Sequence, residues 1–353
     1  MKREETIPVQ LGSVIIGGTH PVSVEAMGRT NPASVDACLA EILSVMAVGA
    51  DVFRVAVPDE EALDGLLEVK KRSPLPLVAD IHFCPEMAVR AALQGVEGIR
   101  VNPGTLLNQE KYSQLIDILR DQNLVLRLGA NTGSLPREHR EKDRVEGLFE
   151  SISDALELPE KKGFSQIILS AKSTEVEETI AIYDRLSRSF PYPLHVGLTE
   201  AGEGQEGIVK SSIALGTILR QGIGNNIRVS LTSRDPVDET QVANYILRAV
   251  GLHQKGIEVI SCPTCARRKG DVVLFVQKVK KAIAHFDRSV SCKVAVMGCE
   301  VNGPGEAREA DLGLAFGPST AVLFEHGKVV RTVSQENAWV EFMNRLYDQT
   351  QKS

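Results

Sequence analysis

Cys262 and Cys265 stand at C-x-x-C spacing in "SCPTCARRKG", and Cys299 follows in "MGCEVNGPGEAREAD". Thiolates at such spacing hold a metal ion or an iron–sulfur cluster, and most such sites have four ligands. Glu306 lies seven residues beyond Cys299, across two glycines and a proline whose turn could return its carboxylate toward the thiol. A surface pair or a helix cap would account for Glu306 equally well. Cys292 sits inside an apolar run and Cys38 in a helical segment, so both read as buried thiols, and Cys84, just before Pro85, reads as a bystander. A second set of residues is basic. Arg54, Arg100, Arg127 and Arg228 interrupt apolar runs, and Lys172 lies just past another. A buried cation needs an anion. Internal pairing with Asp80 or Glu200 is one answer; a phosphate or diphosphate pocket built from Arg forks and a Lys point charge is the other. Five cations on one rim favour the pocket. Side-chain alternation puts Asn102 beside Arg100, Asn131 beside Arg127 and Ser230 beside Arg228. Asp80, His82, Thr199 and Glu200 fall at strand ends on the same rim. His82 could merely satisfy a strand end and Glu200 could be only a counter-ion, or both could take part in chemistry.

Such a rim needs a scaffold that brings strand ends together. Eight short apolar runs supply it: "VSVEAM", "DVFRVAV", "PLVAD", "GIRV", "LVLRLG", "QIILS", "LHVGL" and "NIRVSL". Between them lie helical segments such as "SVDACLAEILSVMAVGA" and "VKSSIALGTILRQGIG", with apolar residues at i, i+3, i+4 and i+7. Strand–helix alternation over about 250 residues has the dimensions of a TIM (β/α)8 barrel, whose sites form at the C-terminal strand ends. An open doubly wound sheet is the alternative, weakened because no G-x-G-x-x-G follows the first strand. The order changes near "GLHQKG". Beyond it come a strand "IEVIS", a helix "VVLFVQKVKKAIAHF", strands "CKVAVMG" and "DLGLAFG", a hairpin turning at His326–Gly327, and a last helix from about Glu336. The expected organisation is a substrate-binding barrel over residues 1–252 and a small α+β domain over 253–353 carrying the motif cysteines.

Composition narrows the partners. A net charge of −6 over 353 residues gives no support for nucleic acid or a membrane surface. No apolar run reaches the ~18 residues of a spanning helix, and "MKREETIPVQ" lacks a signal-peptide core, so the cytoplasm is the expected location. Six cysteines in such a chain point to metal or redox chemistry rather than a disulfide framework.

Taken together, "VGADVFRVAVP", "PLVADIHF", "IRVNPG", "LGANTGSL", "LTEAG", "GIGNNIRVSL", "SCPTCAR" and "MGCEVNGPGEA" resemble the 4-hydroxy-3-methylbut-2-enyl diphosphate synthase family over nearly the whole chain. The resemblance implies a TIM barrel joined to a small domain holding a [4Fe-4S] cluster on Cys262, Cys265, Cys299 and Glu306. It implies a substrate site of Arg54, His82, Arg100, Asn102, Arg127, Asn131, Lys172, Thr199, Arg228 and Ser230, with Glu200 as proton donor. It also implies flavodoxin or ferredoxin as electron donor, and a homodimer in which one subunit's cluster closes over the other's barrel. The chain departs from the family pattern at Glu25–Thr30, where Q-S-M-T-N-T is usual, at Cys84 and Thr105, and at "AFGPS". The activity implied is two-electron reductive ring opening and dehydroxylation of a cyclic diphosphate. A divergent paralogue acting on another phosphorylated substrate, or a zinc or iron–sulfur sensor, are the alternatives.

Overall fold

The computed structural model describes residues 1–351 except 83, 106–108, 234, 253–255, 284–285, 287–289 and 301–302. The chain divides into two compact units, Met1–His253 and Gln254–Ser353. The expected "GLHQKG" break and the "EVNGPGE" turn thus fall partly outside the described residues.

The first unit opens with a hairpin of β1 (Val9–Leu11) and β2 (Val14–Ile16). Eight parallel strands follow, each succeeded by a helix: β3 (Ser23–Met27), α1 (Val35–Ala47), β4 (Val52–Ala56), α2 (Glu60–Arg72), β5 (Leu77–Asp80), α3 (Pro85–Leu93), β6 (Gly98–Val101) and α4 (Gln109–Asp121). Then come β7 (Val125–Asn131), α5 (Arg144–Lys161), β8 (Ile167–Lys172), α6 (Val176–Ser189), β9 (His195–Val196), α7 (Gly204–Arg220), β10 (Asn226–Ile227) and α8 (Pro236–Ala249). The strand order is β8-β7-β6-β5-β4-β3-β10-β9. A parallel bridge from Leu169 to Leu194 joins the two ends of that order, so the sheet closes into a barrel. Helix starts follow from local chemistry: Asp59, Asp143 and Asp235 accept backbone N–H bonds at the N-termini of α2, α5 and α8, where four donors would otherwise lack acceptors.

The β1–β2 hairpin, which the strand pattern did not predict, plugs the floor of the barrel. Val9, Leu11 and Ile16 pack against Val52, Val78, Val125 and Ile168. That contact fixes which face of each strand is interior. Two residues further along, the interior positions are Arg54, Asp80, Arg127 and Ser170, so the polar side chains form the layers above an apolar floor.

The second unit is a five-stranded sheet in the order β11 (Gly256–Ser261), β12 (Ser291–Met297), β13 (Leu312–Phe316), β14 (Thr320–Glu325) and β15 (Lys328–Ser334). The first three strands are parallel and the last two antiparallel. Between strands lie α9 (Val272–Ile283) and the short α10 (Gly303–Glu306), and α11 (Ala338–Thr350) ends the unit. Phe275 of α9 meets Phe316, Trp339 and Phe342 edge-on with centroids 5.6 Å apart, the centre of a separate apolar core.

Candidate functional site

Strand alternation and register bring the barrel's basic residues together. Across neighbouring strands Asp80 pairs with Arg100, Arg100 with Arg127, and Asn131 with Lys172. Lys172 is the last residue of β8 rather than just beyond it. Four arginines of the barrel strands and their ends find carboxylates. Arg100 Nη1 donates to Asp80 at 2.9 Å, and Arg54 lies 3.5 Å from Asp80 and 3.6 Å from Glu25. Arg127 donates to Glu25, and Arg228 lies 3.5 Å from Glu239, which Arg29 also reaches at 3.4 Å. His82 contacts both Asp80 and Arg100. Asn102 donates to Ser134 Oγ at 2.7 Å and accepts from Gly104 N–H at 3.0 Å. A side chain at Gly104 would meet the Ser134 carbonyl, so this tight turn holding Asn102 requires glycine.

Internal pairing is therefore real, but two of its anions, Glu25 and Glu239, differ from those expected. Asp80 takes the assigned role. Glu200 does not: it is exposed, forms no ion pair among the described residues, and sits at φ 52°. A left-handed backbone costs a non-glycine residue free energy and holds this carboxylate at the strand end, with Thr199 anchored through its N–H to Ser173 O at 3.2 Å.

The pairing leaves positive charge over. Five guanidinium groups and Lys172 stand against Glu25, Asp80 and Glu239. Arg127 Nε and Arg228 Nε are buried without a hydrogen-bond acceptor, and Glu25 Oε1 and Glu239 Oε2 are buried without a donor. Burial lowers the Arg127 pKa to about 10 even with Glu25 beside it. Lys172 is pushed well below the usual lysine value, first by burial and then by Arg54, Arg228 and Arg127. Its Nζ has His195 Nε2 at 3.1 Å, and the other ring nitrogen of that histidine bonds Asn226. Burial, then Arg127 and Lys172, hold His195 well below the ordinary histidine range. Burial raises the Asp80 pKa, but Arg54, His82 and Arg100 outweigh it and leave the carboxyl far below the usual range. A set of unsatisfied N–H donors beside a lysine whose charged form is disfavoured by burial and neighbouring cations is suited to an entering polyanion, which would supply acceptors and favour the charged lysine. Asn131, Thr199 and Ser230 are half-buried on the same strand-end layer.

Glu25, Glu239 and His195 were not legible as site residues. The signal for Glu25 was present: strand alternation in "SVEAM" gives it the interior face, and it opens the stretch that departs from the family pattern.

In the second unit, Cys262, Cys265, Cys299 and Glu306 line one pocket of about 200 Å³. Cys262 directly follows β11 and accepts the Gly298 N–H at 3.0 Å. A Cβ on Gly298 would lie 3.1 Å from that sulfur, so glycine permits the close approach. Thr264, between the paired cysteines, has φ 57°, strained for a β-branched residue, and the turn it makes carries Cys265 to the exposed rim. All six cysteines are free thiols. Among the described residues no three His, Cys, Asp or Glu side chains stand close enough to hold a single metal ion. A cluster of several iron and sulfide ions is a larger body whose ligands stand further apart, and soft thiolates around such a space fit it. Cys38 is buried in the first unit; Cys292, buried in the second, does not line the pocket, and burial with Asp311 raises its thiol to about 12.

A closed (β/α)8 barrel with a cation-rich C-terminal rim, followed by a small α+β unit with a thiolate pocket, defines a two-domain enzyme of the TIM-barrel class. The chain belongs to the GcpE family: residues 6–244 match the GcpE TIM-barrel domain and residues 258–348 the GcpE protein C-terminal domain. It is 41% identical over an alignment of 355 positions, covering all of both chains, to the 4-hydroxy-3-methylbut-2-en-1-yl diphosphate synthase (flavodoxin) of Thermodesulfovibrio yellowstonii. It is 43% identical to the protein of the same name from Geobacillus thermodenitrificans, covering 98% of this chain and 92% of that one. Among solved structures, dihydropteroate synthase from Yersinia pestis shares the barrel at TM-score 0.51 and 12% identity, over 69% of this chain and 98% of that one. No helix among the described residues is long and apolar enough to cross a membrane.

Proposed function

We propose that the chain reduces 2-C-methyl-D-erythritol 2,4-cyclodiphosphate to (E)-4-hydroxy-3-methylbut-2-enyl diphosphate. One observation carries this reading: a barrel rim with surplus cations and unsatisfied guanidinium N–H groups shares a chain with a pocket of three thiols and a carboxylate. The shared name of relatives aligned over nearly the whole chain favours this substrate over that of a divergent paralogue.

The reaction takes two electrons and one proton. The bond between C2 and its phosphate oxygen breaks, C3 loses its hydroxyl as water, and a double bond forms between C2 and C3. The dianionic ring becomes a trianionic open diphosphate. Arg54, Arg100, Arg127, Arg228 and Lys172 bind the phosphate oxygens, with Arg127 Nε and Arg228 Nε gaining the acceptors they lack. The dianion favours the charged form of Lys172, which places positive charge where the leaving phosphate gains negative charge. Asp80, Glu25 and Glu239 keep the guanidinium planes oriented. His82, Asn102, Asn131, Thr199 and Ser230 hold the polyol and the remaining phosphate oxygens. Glu200, exposed at the rim, supplies the proton that carries the hydroxyl away as water. Cys262, Cys265, Cys299 and Glu306 would hold a [4Fe-4S] cluster, which supplies electrons singly when bound. Reduced flavodoxin, named for the relatives, is the donor, with ferredoxin the alternative carrier. The same reading includes a cytoplasmic homodimer in which the thiolate pocket of one copy serves the barrel of the other.

Anaerobic reconstitution with iron and sulfide tests this. The chain should turn brown, absorb near ~400 nm and convert the cyclic diphosphate with dithionite, while Cys262→Ser, Cys265→Ser and Cys299→Ser should do neither. A colourless, zinc-loaded chain, or a brown one inert toward the cyclic diphosphate, would overturn it.

A further inference from the structure

The chain is acidic overall, with net charge −6, yet the segment from Cys262 to Lys281 carries six cations against the single carboxylate of Asp271. Arg267, Arg268 and Lys269 are exposed beside the thiolate pocket, and Arg267 and Arg268 form part of its rim. None of these three forms an ion pair among the described residues, whereas Lys293, Arg331 and Arg345 of the same unit are each paired with a glutamate. The basic loop is held in place: Arg268 N–H donates to Cys265 O at 3.0 Å, Lys269 N–H to Gly298 O at 2.8 Å, and Gln335 Nε2 to Lys269 O at 3.1 Å.

Helix α9 continues this surface. It buries Val272, Phe275 and Val279, and Val272 reaches the same Gly298 whose N–H meets the Cys262 sulfur. The opposite face begins with Val273 and Leu274, 53% and 47% exposed, and runs on to the exposed Lys278, Lys280 and Lys281. Two adjacent exposed aliphatic side chains with cations on both sides have the make-up of a transient protein interface: a small apolar centre and a charged rim. Charge on such a rim steers encounter more than it adds affinity, which suits a partner that must bind, deliver and leave.

We propose that this face, formed by the Arg267–Lys269 loop and the outer side of α9, docks an acidic electron-carrier protein with its redox group toward the thiolate pocket. The inference rests on the reductive function proposed above and adds the place where the reductant binds. Each reduced carrier delivers one or two electrons, and two are consumed for each ring opened. The occupant is acidic because the face is basic, and a carrier because the cations border the pocket assigned to electron transfer.

The experiment uses the full chain, reconstituted anaerobically, with an oxidised FMN-loaded flavodoxin as the probe, followed by titration calorimetry. The parent should bind, and more weakly as salt rises. Arg267→Glu with Lys278→Glu should weaken binding by about tenfold or more and flatten the salt dependence, and Leu274→Asp should also weaken it. Lys328→Glu with Arg331→Glu, the same charge change on β15 at the other edge of the sheet, should leave the Kd within about twofold. Equal weakening by both double variants, unchanged binding in the first, or no binding by the parent would overturn the proposal. So would a change in oligomeric mass confined to the Arg267/Lys278 variant, since the face would then meet a second copy. A dithionite-driven assay separates the two readings. A parent that opens the ring yet ignores flavodoxin sinks only the docking face, and one that binds flavodoxin through this face yet leaves the ring intact sinks only the function.

Discussion

Asp80→Asn is the sharpest perturbation of the barrel's charge network. The carboxylate and its partner Arg100 are almost wholly buried, with side chains 7% and 6% exposed, and they meet at 2.9 Å. Arg54 at 3.5 Å and His82 at 3.3 Å complete the cluster. The amide keeps the shape and removes the charge, leaving Arg100 without a carboxylate. Removing one member of a buried pair costs about 3–5 kcal/mol. Arg54 retains Glu25 at 3.6 Å, which places the expected loss near the lower end. For a unit of this size, about 3 kcal/mol corresponds to a fall in Tm of roughly 6–12 °C. The chain offers a way to assign it, because its single tryptophan, Trp339, packs in the core of the second unit. Far-UV circular dichroism should show an early transition, while Trp339 fluorescence should report the unchanged unit. Asp80→Leu combined with Arg100→Met should recover part of the loss, since no unpaired charge remains. A loss below about 1 kcal/mol for Asp80→Asn, outside the range for a buried pair, would refute the view that these charges are held by one another.

Other consequences follow from the same geometry. Lys172 has its pKa lowered by burial and neighbouring cations, so the folded chain binds fewer protons than the unfolded one. The resulting destabilisation is full below the folded pKa and disappears as pH rises past the unfolded value near ~10.4. Lys172→Met should therefore be more stable than the parent at neutral pH, with a flatter rise toward alkaline pH in urea titrations; identical slopes would contradict this. Substrate binding should draw protons from buffer in the parent and fewer in Lys172→Met, as read by calorimetry in buffers of different ionisation enthalpy; proton release by the parent would contradict this. In the cluster-free chain, exposed Cys265 should react with iodoacetamide at pH 8 while Cys292, with its thiol raised to about 12, stays unmodified by mass spectrometry. Glu200→Gln should keep cluster absorption and diphosphate affinity yet lose about 10²–10⁴ in turnover, the range for a general acid; near-parental kcat would remove Glu200 from the proton step.

Much of the fold is written in local pattern. Arg54 and Arg127 each stand two positions along a strand from an apolar floor residue, Val52 and Val125, and period-two alternation makes that legible in the sequence itself. The α9 face is likewise periodic. What alternation cannot reveal is which distant carboxylate meets which cation. Glu239 lies on α8, where an acidic residue in the first helical turn reads as a helix-dipole partner, and only barrel closure brings it to Arg228. Glu25 reaches Arg127 across 102 positions of sequence. The β1–β2 hairpin escaped notice because strands of three residues carry too little pattern, and its turn depends on Gly12 at φ 55° beneath Pro76. The thiolate pocket was legible as cysteine spacing, while the Gly298 N–H that approaches Cys262 comes from another strand's end and was not.

Electron counting tests the central claim most directly. The reconstituted chain is mixed anaerobically with a known quantity of cyclic diphosphate and titrated with dithionite, while phosphorus resonances follow the ring and its product. The account predicts two electrons consumed per ring opened and a linear diphosphate as the sole phosphorus product. Ring opening without consumption of reductant, or no opening by a chain whose iron and sulfide are intact, would contradict it.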